Sequence, residues 1–168
     1  MRALLTRQWF TSFGLLILRV FTGVLLIHHG FEKLANIDNF ADAFVRPLHL
    51  PFPVTLSYAA AYSEIIGSCL LISGLATRIG AFAISCTITM AIYHALITTG
   101  FNIFLLELLG LYLGSSIAIL AIGPGIFSID ELLVRTFKPD MNLEKSRLER
   151  VIVKTVSTSP AYQGSTTT

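Results

Sequence analysis

Four stretches of this sequence are long and apolar enough to cross a bilayer, and that leaves few folds open. A spanning helix needs about 20 mostly apolar residues. The stretches run from about 13 to 31, 54 to 75, 79 to 97 and 103 to 122. Composition agrees: 54% of the 168 residues are apolar and only 13% are charged, against about 25% charged in soluble domains. Turn chemistry separates the spans, in Leu50-Pro51-Phe52-Pro53, Ala76-Thr77-Arg78, Thr98-Thr99-Gly100-Phe101-Asn102 and Gly123-Pro124-Gly125. The second and third connectors are so short that their neighbours must form antiparallel hairpins. The expected fold is an all-α membrane domain, a four-transmembrane-helix up-down bundle over residues 1–137, followed by a polar tail over 138–168.

Charge sets the expected orientation. Arg2, Arg7, Arg78, Arg135, Lys138, Lys145, Arg147, Arg150 and Lys154 fall on one side of the predicted bundle, and only Lys33 and Arg46 on the other. The positive-inside rule then puts both termini in the cytoplasm. The first hydrophobic run contains Arg19 and lacks a small-residue cleavage site, so it reads as a retained span. Ile37, Phe40, Ala41, Phe44 and Val45 follow a helical apolar spacing and predict a short amphipathic helix lying on, or folding back into, the outer interface, ended by Pro47. Ser128-Ile129-Asp130-Glu131 matches a capping box and predicts a short helix after the fourth span. A weak surface helix around Leu143, Leu148, Val151 and Ile152 and a disordered Ser/Thr-rich end complete the expectation.

Ionisable groups inside a span cost roughly 2.5–3.5 kcal/mol each at mid-depth, so they turn inward and find partners. Eight need a place: Arg19, His28, His29, Glu32, Lys33, Glu64, His94 and Glu107. Aligning the predicted span ends sets Arg19 and Glu64 about four residues of rise apart, roughly 6 Å, which predicts a buried Arg19–Glu64 pair. That pair either locks the bundle or handles charge. His28, His29, Glu32, Lys33, His94 and Glu107 gather in one outer layer. A pocket for a quinone or another small substrate would need a donor or two and an apolar wall there, and Arg19, His29, Lys33 and Glu64 are the candidates. His28, Glu32, His94 and Glu107 are secondary. Imidazole and carboxylate together suit several metals, but no tight ligand motif occurs and no metal site is assigned. Gly110 and Gly114 stand at a spacing that permits close helix approach. Cys69 and Cys86 lie symmetrically about the second hairpin; they are two small packing residues or a redox pair. No basic stripe interleaved with aromatics points to nucleic acid. The bilayer is the first partner, and a second subunit or further copies of the chain are the next.

Several short motifs occur in an order that resembles the DoxX family of small bacterial membrane proteins. They are Leu18-Arg19, His29-Gly30-Phe31-Glu32-Lys33-Leu34, Leu50-Pro51-Phe52-Pro53, Glu64-Ile65-Ile66-Gly67, Gly74-Leu75-Ala76-Thr77-Arg78, and Gly123-Pro124-Gly125 followed by Phe127-Ser128-Ile129-Asp130. The resemblance runs over about residues 13 to 135 and implies a four-span fold. The family is named after a subunit of a terminal quinol oxidase; a related branch is linked to thiosulfate:quinone oxidoreduction, and other members to oxidative and thiol stress. It therefore implies a membrane subunit of a quinone-linked redox system acting on quinol, sulfur or thiol. A non-catalytic anchor or stabilising subunit of a larger complex is the alternative. Four unbroken spans make a small transporter the weakest reading. His28, His94 and Glu107 match no position of the family pattern, so their roles rest on chemistry alone.

Overall fold

In lipid, a segment must satisfy its own backbone hydrogen bonds, and helices do so internally. The computed structural model is accordingly all-helical over the residues it describes, 2–98, 100–137 and 148–152, with side chains from residue 9 onward. Helix α1 is Arg2–Ala35. A short α2, Ile37–Phe40, runs into a π-turn at Ala41–Val45 and a 3-10 turn at Arg46–Leu48. Helix α3 is Pro53–Ser73, α4 Thr77–Thr98, α5 Ile103–Ile122 and α6 Ile129–Phe137. Four of these, Trp9–Ala35 within α1 and then α3, α4 and α5, are long and apolar enough to span a membrane.

The boundaries follow local chemistry. Pro53 opens α3, where its missing N–H costs nothing. Gly74 closes it at φ 72°, a left-handed conformation that a side chain would strain. The Asn102 side chain accepts from Leu105 N–H at 3.4 Å to start α5. At α6 the Ser128 hydroxyl accepts from Glu131 N–H at 3.1 Å, as the capping box predicts. The interfacial piece 37–48 is helical as expected and, of its two expected placements, takes the one that folds back: Ala41 and Val45 are buried.

Small residues set the helix register. A Cβ on Gly30 would meet Ala61 and Ile65, and one on Gly23 would meet Ser68 and Ile72, so α1 and α3 run antiparallel and close together. Gly67 lies against Gly80 and Ile84, and Ser63 bonds to Thr87, which sets α3 antiparallel to α4. The centre is filled by Leu26, Leu71, Ala81, Ile84, Ile88 and Ile119. Gly110 and Gly114 meet no described atom of the chain within 4 Å. Their spacing therefore serves no helix contact among the described residues.

Residues 1–131 form one compact unit and 132–168 a second. In the second, 132–137 continue α6 and 148–152 are helical with exposed side chains. The expected helix start at Leu143 and the disordered end lie outside the described residues.

Candidate functional site

The buried pair predicted between Arg19 and Glu64 does not form. Glu64 pairs with Lys33 instead. Arg19, fully buried, sends its Nη2 to the Phe127 carbonyl at 2.6 Å. The reason is register. Gly30 sits beside Ala61 and Ile65, so Glu64 lies level with Gly30, eleven residues above Arg19, or roughly 16 Å at 1.5 Å per residue. Helix α3 begins beyond the end of α1, and its first turns pack on the 37–48 segment. Arg19 then serves the opposite end of the bundle. There Asp130 accepts from Ala76 N at 2.7 Å and from Thr77 N at 3.1 Å, while its own N–H donates to the Gly74 carbonyl at 3.0 Å. Arg19 is a clasp on this turn and is not among the residues that line the cavity described next.

The other three primary candidates, His29, Lys33 and Glu64, do converge. They line one cavity of about 960 Å³, between α1, the 37–48 segment and the facing halves of α3, α4 and α5. Its wall is chiefly apolar, with Phe40, Phe44, Leu56, Phe82, Met90 and Leu108 among its residues. Its polar groups are few, as in small-molecule sites generally. Lys33 joins Glu64 at the wall, and its ammonium stands 5.1 Å from the Phe40 ring centroid. Glu64 is 2% exposed. Its Oε1 meets Lys33 and its Oε2 is buried without a hydrogen-bond partner. Ser63 and Thr87, bonded to one another, add two hydroxyls.

The secondary candidates divide. His94 is buried in the same cavity wall; its Nε2 lies 3.1 Å from the Ala43 carbonyl and its ring packs on Phe44. A carbonyl only accepts, so Nε2 carries the proton. This contact ties the 37–48 segment to α4. Glu32 lines the cavity rim and bridges two exposed imidazoles, with His28 Nε2 at 3.0 Å and His29 Nδ1 at 3.2 Å. His28 lies outside the cavity, as does Glu107, which is exposed on α5. Among the described residues no three His, Cys, Asp or Glu side chains converge as a metal would need.

The two cysteines are free and exposed. With Ser63 beside Thr87 and Gly67 beside Gly80, they stand about five to eight residues apart in level, roughly 8–12 Å. Cys86 lines the cavity and Cys69 does not. Sequence reasoning missed Tyr112, whose ring meets His29 edge-on at 6.3 Å on the cavity wall. The signal was present: Leu105, Leu108, Leu109 and Tyr112 form one helical stripe that ends in a phenol.

Fold and site together define a small four-span membrane protein with an amphiphilic cavity in one half of its bundle. It belongs to the DoxX family, whose sequence profile matches residues 14–98, just over half the chain. One curated relative, named "Putative oxidoreductase CatD" and from Bacillus subtilis (strain 168), is 34% identical over 79 residues. That match takes in 47% of this chain and spans 57% of the relative's length. No solved structure matches the chain.

Proposed function

We propose that this protein is the membrane subunit of a quinone-linked redox system, and that the cavity at Lys33 and Glu64 receives the quinone head. The observation that carries the reading is the convergence of His29, Lys33, Glu64 and Tyr112 on one largely apolar cavity. A lipid-soluble carrier with a polar ring and an apolar tail needs that combination. Lys33 and Tyr112 have protons for ring oxygens, and Glu64 can accept one. A bound quinone would supply the electron and proton chemistry, which these side chains cannot. In this reading both termini are cytoplasmic, the polar tail from 138 onward extends into the cytoplasm, and the cavity opens in the outer half of an inner membrane. The distant relative's name is in keeping with an oxidoreductase role.

Cys86 supplies the test. A short-chain quinone bound in the cavity slows alkylation of Cys86 by a membrane-permeant thiol reagent and leaves Cys69 unaffected. Equal labelling of both cysteines at saturating quinone would remove the reading.

A second reading, a stabilising subunit of a larger membrane complex, is favoured by α5. Only 11% of its apolar window is buried, against 33% for the other three spans. A partner helix on that face would co-purify in mild detergent.

A further inference from the structure

The cavity's carboxylate has one oxygen without a donor. Glu64 is nine-tenths and more buried, Lys33 occupies its Oε1, and its Oε2 has no hydrogen-bond partner. A carboxylate oxygen only accepts. Oε2 is already buried and unmet with no ligand present, so a ligand that offers it a proton gains a charge-assisted hydrogen bond that a ligand without a donor does not.

We propose that the cavity selects its ligand by redox state, preferring the hydroquinone to the quinone, and that Glu64 is the residue that discriminates. The proposal rests on the quinone reading above and names which form of the head the site takes. A quinone ring carries two carbonyl oxygens, both acceptors. Lys33 and Tyr112 have protons to offer them, but nothing on the oxidised ring can donate to Glu64. A hydroquinone carries two hydroxyls, each able to donate and accept. One can donate to Glu64 Oε2 while accepting from Lys33, which stands at the same carboxylate, so the unmet oxygen gains its donor. Sites built to hydrogen-bond a substrate hydroxyl reject analogues lacking it, in favourable cases by about 10⁴-fold. One buried charged acceptor left unmet supports about tenfold or more.

The test is binding, with no turnover required. Three decyl-substituted probes are titrated anaerobically onto the full chain in lipid nanodiscs: the hydroquinone, the matching quinone, and the hydroquinone's dimethyl ether, which keeps the ring oxygens but cannot donate. Calorimetry gives the affinities, and Cys86 protection reports occupancy of the cavity. The hydroquinone is expected to bind at least about tenfold more tightly than either competitor. In Glu64→Gln, whose amide both donates and accepts, the preference should shrink to within about threefold while the quinone still binds. Equal or tighter quinone binding to the unaltered protein overturns the inference alone and leaves the quinone reading standing. An unchanged preference in Glu64→Gln overturns the role of Glu64. If none of the three probes binds, the quinone reading falls and takes the inference with it. Should Glu64→Gln fail to fold, the three-probe comparison on the unaltered protein still decides.

Discussion

Lys33 and Glu64 are the residues on which this bundle's polar chemistry turns, because each is the other's compensation. The pair is largely withdrawn from solvent, at 17% and 2% side-chain exposure. Removing one member of such a pair strands the other and costs about 3–5 kcal/mol, whereas replacing both with apolar groups of similar size is often nearly neutral. Lys33→Met and Glu64→Leu should therefore each lower the melting temperature in detergent clearly, and the double variant should recover most of the loss. A double-mutant cycle measures that coupling. The recovered double variant is also informative about function. It keeps the fold but has no polar pair, so on the quinone reading it loses ligand protection of Cys86. If the double variant melts as low as the worse single one, the pair is not a mutual compensation. Arg19 shows why residue identity alone misassigned this pair. Its charge, and the depth that aligned span ends gave it, made it a fitting partner for Glu64, and the vertical offset of α1 against α3 set it beside Phe127 instead.

That offset belongs to the scale of the helix, and it explains which parts of the structure could be read in advance. Apolar length and turn residues located α3, α4 and α5 to within two residues at either end. Helical spacing puts Ser57, Glu64, Ser68 and Leu71 on one stripe, and all four are buried. Neither signal reports level. Level depends on which backbones approach most closely, and here Gly23, Gly30, Gly67 and Gly80 decide it. It also depends on the 37–48 segment, which takes the space above α1 that a flush alignment of span ends would have denied it. The cavity was legible only as a set of polar residues in one layer. Its walls come from that folded-back segment, and Tyr112 joins it through α5. The glycines make this argument testable by contrast. A Cβ on Gly30 would come within 2.6 Å of Ile65 Cγ1 and 3.1 Å of the Ala61 carbonyl, whereas one on Gly110 meets open space. Gly30→Val should push α1 from α3, lower the melting temperature by several degrees and disturb the level match of Lys33 with Glu64. Gly110→Val should leave melting of the isolated protein unchanged. If Gly110→Val instead dissociates a co-purifying species, α5 is a subunit contact, and the stabilising-subunit reading gains.

For the whole molecule, the decisive quantity is which half of the membrane holds the cavity. Lys33, Glu64 and His94 gather toward the end of the bundle that carries the 37–48 segment, and Arg19, Arg78 and Asp130 toward the other. Basic residues flanking spans are retained in the cytoplasm because they resist translocation, and acidic residues count for little. Among the described residues, Arg78 in the first turn of α4 stands at the end away from the cavity, and Lys33 and Arg46 stand at the cavity end. The expected outcome is that alkaline phosphatase fused after His49 is active in an Escherichia coli host, while a green fluorescent reporter fused after Phe137 fluoresces. The physical stake is the direction of proton traffic. Glu32 contacts both His28 and His29 at the cavity rim; on the quinone reading with the cavity in the outer half, protons from a bound head would leave past these residues toward the outer water, and an electron-accepting partner on that side would meet this rim. Inverted reporter activities would leave the fold and the cavity as described, but would turn that rim to the cytoplasm and require its partner there.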